Sequence, residues 1–432
     1  MTLTMADTLT LTALNVEDTT LGNGARLLYQ HAPMAPRLAI SLFLPGGNLA
    51  DAIPGQSDLV DRLVMKGTQT RSQEDIAIEI DGMTLDLDVD TRRDSTTMQA
   101  TLLAEDLEPS LELMADIFFN ATLSEFDREK EKMNGEILME LDSPRARASD
   151  HMIRSVFEGT QYATVSSVVL ETLETMTDVS AARRQYQANY HPGNAIISVA
   201  GNVEKKRLTQ LLEKYFPAGA NPTPFAGDTV TEAVRQAIAQ RTLKADRLVT
   251  FARDDSSQAH IFQAWLAPPA GHADYPALAL LNTILGAGGL SARLFLELRD
   301  KQGLAYNVRS SYDTYRYKGL FYLYIGTEPA NKEKCLAGFQ DECRKLLEIP
   351  VGADELADAK RNILGRRSIF LETIPQQANY VGSNVALGRT LEDIQRIPER
   401  LQSVTADDIQ RVANIYLTQP SVVSIVGPSA IL

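Results

Sequence analysis

The stretch SDLVDRLVMKGTQTR, residues 57–71, places Asp58, Asp61 and Arg62 at positions i, i+3 and i+4. On a helix these positions share one face. Zinc peptidases of the HExxH and HxxEH types use this geometry: two imidazoles one turn apart hold the metal, and a carboxylate activates water. Here two acids and a cation stand in those places. A guanidinium has no lone pair to offer a metal, and its charge repels a cation from the same spot. Oxygen from Asp58 and Asp61 suits a hard ion, but Arg62 opposes one. The simpler expectation is that Arg62 pairs with Asp58 at i, i+4, an exposed pair worth about 0.3–0.5 kcal/mol.

A second stretch, LFLELRDKQGLAY at 294–306, sets Arg299 and Tyr306 seven residues apart. Both are hydrogen-bond donors, suited to a carbonyl acquiring negative charge. At a helix end and a strand start they also suit ordinary packing and solubility. Other chemistry is sparse. His31, His151, His191, His260 and His272 are scattered with no two one helical turn apart, and no G-x-S-x-G is present. The run GAGG at 286–289 falls between two expected helices with no Gly-Lys-Ser/Thr after it, so it reads as a helix break rather than a phosphate loop. Cys335 and Cys343 are eight apart in an expected helix, separated by roughly 12 Å, too far for a disulfide. They read as buried thiols.

The elements that must position these groups are mixed. RLAISLFLPGG (37–47) and AHIFQAWLAPP (259–269) are strands ended by breakers. TLDLDVD (84–90) alternates, with Leu85, Leu87 and Val89 on one side and Asp86, Asp88 and Asp90 on the other, as in a one-sided antiparallel strand. Its aspartates either attract basic peptides or discourage edge-to-edge association. The stripe Leu59, Val60, Leu63, Val64 marks the buried side of the helix over 55–66. VRSSYDTYRYKGLFYLYIGT (308–327) reads as a hairpin turning near Lys318-Gly319. The segment 177–201 is echoed at 405–427, with Ser198 answered by Ser424, an offset of 226; residues 123–138 are echoed at 353–368, an offset of 230. A period of half the chain means a duplicated domain. PAGANPTPFAGD (217–228) has linker composition. The expectation is therefore an α+β fold of two homologous domains, residues 1–222 and 241–432, joined by a linker at 223–240, each an antiparallel-rich sheet packed with helices.

A chain of 432 residues with 44% hydrophobic residues carries ample core for two domains. The net charge of −14 argues against nucleic acid or an anionic membrane as partner. No apolar run approaches the length that spans a bilayer, and no export signal opens the sequence as written, which reads as cytoplasmic; a signal removed beforehand would instead place the chain in the periplasm.

The stretch GGNLADAIPGQSDLVDRLVMKGT, followed by DGMTLDLDVDTRRDST, resembles the pitrilysin-like zinc peptidases of mitochondrial-processing-peptidase type, whose helix carries an inverted HxxEH before a K-G-T. On that pattern Asp58 and Arg62 replace the two zinc histidines and Asp61 replaces the general-base glutamate. Glu136 matches the third ligand, with Glu129 at the supporting position; two of the three ligands are lost, and a pairing of Arg62 with Glu136 becomes a further expectation. LGAGGLSARLFLELRDKQGLAY is similar to the family's second motif, so Arg299 and Tyr306 match its substrate-binding Arg/Tyr pair. The resemblance runs from about Leu21 to Gly427 and implies two α+β domains forming a half-clamshell, two of which enclose a chamber for unfolded peptides. It further implies a bacterial-type non-catalytic subunit of a heteromeric zinc endopeptidase, inactive alone, that binds substrate and lends Arg299 and Tyr306 to a homologous HxxEH partner. No metal is expected in this chain; zinc belongs to the partner. The competing expectation is a scaffold, like the core subunits of a respiratory complex, or a peptide-binding protein without proteolysis.

Overall fold

Breaker-bounded apolar runs assemble into two sheets of matching topology. The computed structural model describes residues 14–218 and 230–432. The first sheet contains β1 (Glu17–Thr20), β2 (Arg26–His31), β3 (Arg37–Pro45), β4 (Asp86–Thr91), β5 (Ser95–Leu103) and β6 (Ile196–Gly201), in the order β1-β2-β6-β3-β5-β4. The second contains β7 (Arg247–Ala252), β8 (Ala259–Ala267), β9 (Ala305–Thr314), β10 (Gly319–Thr327) and β11 (Val422–Gly427), in the order β7-β11-β8-β10-β9. Omitting β1, the two orders superimpose strand for strand. Each sheet has a single parallel pair, β2 with β6 and β7 with β11. The duplication read from the sequence is thus a duplication of topology, and the class is α+β.

The expected strands fall into place. β3 pairs with β5 and β6, so its centre is buried on both sides. β9 and β10 form the expected hairpin, with Thr314 opposite Gly319. β4 is an edge strand: Asp86 and Asp88 are exposed while Leu87 and Val89 lean on the first core. Acidic side chains on a free edge disfavour pairing with another chain. Of the expected linker, residues 223–229 lie outside the described residues, but Glu232–Ala239 is a helix rather than a connector. Thr231 caps it, accepting from the Val234 N–H, and Ile238 is buried.

Both faces of each sheet are covered, as the unbroken burial of β6 shows for the first. One face of each sheet packs on helices of its own half: Leu27, Ile40, Leu42 and Met98 with Leu59, Leu63, Leu111 and Phe118 in the first, and Ile261, Trp265, Phe321 and Leu323 with Leu278, Phe339, Ile409 and Val412 in the second. The other faces are covered reciprocally. Helix Ile374–Ala386, from the second half, lays Val381, Val385 and Ala386 against Leu28, Phe43 and Ile196 of the first sheet. Helix Pro144–Val156, from the first half, lays Ala148, Met152 and Val156 against Phe262, Ala264, Leu266 and Val426 of the second. The two helices start 230 residues apart (374 − 144), the same offset as the sequence repeat. Each half therefore surrenders the same helix to the other. Gly382 allows the first of these packings, since a Cβ there would lie 2.2 Å from the Phe43 ring.

The seam is pinned by one buried acid. Asp94 accepts from the Tyr162 hydroxyl at 2.6 Å and from the Arg316 N–H at 3.2 Å, and the Tyr317 N–H donates to the Tyr162 oxygen.

A degenerate metal position and an unspent donor pair

Helix Gln56–Val64 begins where Asp51 accepts from the N–H and hydroxyl of Ser57, while Gln185 donates to both Asp51 and the Ser57 oxygen. Its stripe Leu59, Val60, Leu63, Val64 is at most 2% exposed. That anchorage turns the neighbouring face, with Asp58, Asp61 and Arg62, into a cleft of about 350 Å³ whose lining includes Asp90, Thr91 and Arg93.

Inside the cleft, partners differ from simple helical pairing. Arg62 reaches across to helix Phe126–Asp142 and donates to Glu136 at 2.6 Å. Asp58, expected as its i, i+4 partner, instead accepts from the Asn48 side chain at 3.2 and 3.3 Å. Asp61 accepts from the Thr91 N–H at 3.0 Å. Glu129 is buried and pairs with Lys66 at 2.9 Å. Removal from water pushes the Asp58 carboxyl up to about 6, with Asn48 and Arg62 pulling it partly back. Burial also holds Asp61 well above the carboxylate range, and the neighbouring Asp58 adds to it. The Glu136 carboxyl is lowered, chiefly by its hydrogen bond from Arg62.

These donors do not fit zinc. Of the ligand positions one is a guanidinium, one a half-buried aspartate held by an amide, and the third, Glu136, is engaged by that guanidinium. Among the described residues no three His, Cys, Asp or Glu side chains converge as metal ligands. What the arrangement does is place a positive group where a metal would sit and set two aspartates beside it.

Arg299 and Tyr306 lie elsewhere and do not line this cleft. Arg299 projects from the wide helical turn Phe295–Lys301; Tyr306 is the second residue of the edge strand β9. The segment before them is pressed on β9: a Cβ on Gly286 would lie 2.2 Å from the Ser310 nitrogen, so GAGG serves close packing as well as a break in the helix. The guanidinium carbon sits 4.7 Å from the Tyr306 ring centre and 4.6 Å from that of Phe295, within cation–π range. Tyr306 is 82% exposed. Among the described residues neither the Arg299 guanidinium nor the Tyr306 hydroxyl has a hydrogen-bond partner or an ion pair. The structure brings this pair together and brings Arg62 to Glu136. Asn48, Thr91 and Arg93 are the cleft residues that sequence reasoning missed; they come from a 3-10 turn, a strand end and the loop after it, which no spacing rule ties to the helix.

Comparison with known proteins matches this layout half by half. Residues 26–167 match the model for insulinase, peptidase family M16, and residues 178–363 match the peptidase M16 inactive domain. An uncharacterised zinc protease of Streptomyces coelicolor is 28% identical over 422 residues, covering 96% of this chain and 90% of that protein. One from Bacillus subtilis is 25% identical over 418 residues, covering 95% and 98%. Among solved structures, a peptidase M16 inactive domain from Pseudomonas fluorescens superimposes with a TM-score of 0.86 at 23% identity, covering 96% of this chain and 99% of that one. A protease from Helicobacter pylori gives 0.84 at 19%, covering 96% and 100%. With both family models in tandem, the fold shared and DLVDR standing where HxxEH belongs, this chain belongs to peptidase family M16, the pitrilysin-like metallopeptidases, as a member without the catalytic motif.

Proposed function

We propose that the chain is the non-catalytic, substrate-binding subunit of a heteromeric zinc endopeptidase that degrades unfolded peptides. Its partner is a homologous HxxEH chain that holds the zinc and the water-activating glutamate. The observation that carries this reading is a contrast between two positions. The metal position is filled by the Arg62–Glu136 pair at 2.6 Å, whereas Arg299 and Tyr306 stand together with their donors unspent. A scaffold gains nothing from an arginine and a tyrosine held side by side without protein partners.

In the assembled enzyme the guanidinium and the phenol of this chain donate to the substrate carbonyl as its oxygen gains negative charge. Donors already in place for that charge lower the barrier without reorganising at the moment of reaction. The first-sheet cleft, by contrast, contributes no metal chemistry.

Reconstitution tests the reading. The chain is assayed on an unstructured peptide alone, with an HxxEH homologue from the same source, and with chelator added. Cleavage only in the mixture, abolished by the chelator, is expected. Cleavage by the isolated chain sinks the reading, and failure of every mixture favours a scaffold.

A further inference from the structure

Beside the degenerate metal position lies a second cleft of about 360 Å³, which shares Arg93, Val165 and Ser166 with the first. It opens on the seam between the halves. Arg93 and Arg145 reach it from the first half, Arg309, Phe262 and Tyr322 from the second. The register of the second sheet explains the placement: Arg309 on β9 is directly opposite Tyr324 on β10, which is opposite Phe262 on β8.

The three guanidiniums rest on aromatic rings rather than on acids. Arg145 lies 4.7 Å and Arg309 5.9 Å from the Tyr324 ring centre, and Arg93 lies 5.4 Å from that of Tyr315. Among the described residues none of the three has a carboxylate oxygen within 4.0 Å. Elsewhere in the chain Arg26, Arg71 and Arg253 find aspartates; here three guanidiniums meet around one cleft without one. Two carboxylates, Glu140 and Asp150, line the same cleft, and Asp313 lies close by, but all three are turned to serines. Asp150 accepts the N–H and hydroxyl of Ser167, Glu140 the Ser166 hydroxyl, and Asp313 the Ser311 hydroxyl. Each guanidinium carries five N–H donors, and among the described residues only one of these, from Arg93, is spent, on the Thr164 carbonyl.

A cluster of forked donors with aromatic walls, continuous with the cleft where a metal would sit, matches a planar anion next to an apolar side chain. We infer that this cleft is a subsite for a carboxylate of the bound peptide, held by Arg145 and Arg309 with Arg93 at the junction of the two clefts. The inference rests on the peptide-binding reading above. A carboxylate comes either from the peptide's C-terminus or from an Asp or Glu side chain. The two sources share this chemistry and differ in where the peptide must end.

Calorimetric titration of the full chain separates the possibilities. Three versions of one unstructured peptide are compared: free C-terminus with no other acid, the same peptide amidated, and the amidated peptide with one internal Glu. A charge-assisted contact predicts binding about tenfold or more tighter for the carboxylate forms than for the amidated one. Preference for the first over the third identifies the C-terminus, and the reverse identifies a side chain. Arg145→Gln with Arg309→Gln abolishes the preference for the carboxylate forms over the amidated one; Arg309→Gln alone, at an exposed strand position, weakens that preference and guards against misfolding. Equal affinity for all three peptides, or a preference that survives the double variant, overturns the inference. If no peptide of any form binds, the peptide-binding reading itself fails.

Discussion

Asp58→Asn is the perturbation that most directly probes the cost of the degenerate metal position. Burial pushes the Asp58 carboxyl up to about 6, from an ordinary aspartate value of about 3.8. Because the folded value is raised, the native state holds this proton more tightly than the unfolded chain. The carboxyl therefore costs nothing below the unfolded value. Stability falls as the pH rises from about 4 to about 6, and the full penalty applies above that. At about 1.4 kcal/mol per pH unit the ionised group costs on the order of 3 kcal/mol; water in the open cleft screens this towards roughly 1–2 kcal/mol. Asparagine is neutral and its carbonyl oxygen still accepts from the Asn48 amide. The variant should thus match the parent at pH 4 and exceed it by that amount at pH 8. Urea unfolding at the two pH values, with the slope checked for constancy, provides the measurement. A variant whose gain is equal at both pH values, or which is less stable at pH 8, refutes the argument that burial rather than pairing dominates this carboxylate.

Two glycines should respond with opposite signs. Gly382→Ala drives a methyl to 2.2 Å from the Phe43 ring and should cost about 1–3 kcal/mol in urea unfolding; Gly365→Ala, in helix Ala353–Phe370 with nothing within 4 Å, should gain about 0.5–1 kcal/mol. Arg299→Ala or Tyr306→Phe should leave the circular dichroism unchanged and lower turnover of the reconstituted enzyme by about 10²–10³ if each removes a donor to the developing charge; an unaltered rate eliminates the donor role. Converting Asp58→His, Asp61→Glu and Arg62→His frees Glu136 from its ion pair and should bring one zinc per chain by metal analysis, and a metal-free product would show that the helix no longer presents the geometry. Trp265 fluorescence, reporting the second half, and far-ultraviolet dichroism, reporting both, should trace one coincident unfolding transition.

The parts of this fold that were legible in the sequence are those set by local periodicity. The stripe Leu59 to Val64 and the alternation of β4 each specify which side is buried, and both sides are as read. The pairing of Arg62 was legible only in part. Local spacing offered Asp58, but the arginine side chain is long enough to reach another helix, and Asn48 from the 3-10 turn Gly47–Ala50 took the aspartate instead. Helix Glu232–Ala239 was lost beside a Pro- and Gly-rich run, although Thr231 followed by Val234 and Ile238 at i, i+4 signalled it. The residues gathered by Arg93, Arg145 and Arg309 span 216 positions (309 − 93), and no periodicity links strands that meet only across a seam. The helices Pro144–Val156 and Ile374–Ala386 went unread in the sequence, and no local pattern says whose sheet buries a helix.

That reciprocal gift of helices limits how the molecule can move. Swinging one half away from the other would drag Val381 and Val385 off Phe43 and, at the same time, Met152 and Val156 off Phe262, laying bare two aliphatic surfaces together. A hinge between the halves is therefore locked from both ends. Motion within this chain is thus confined to its loops and edges, and the two halves travel as one rigid wall.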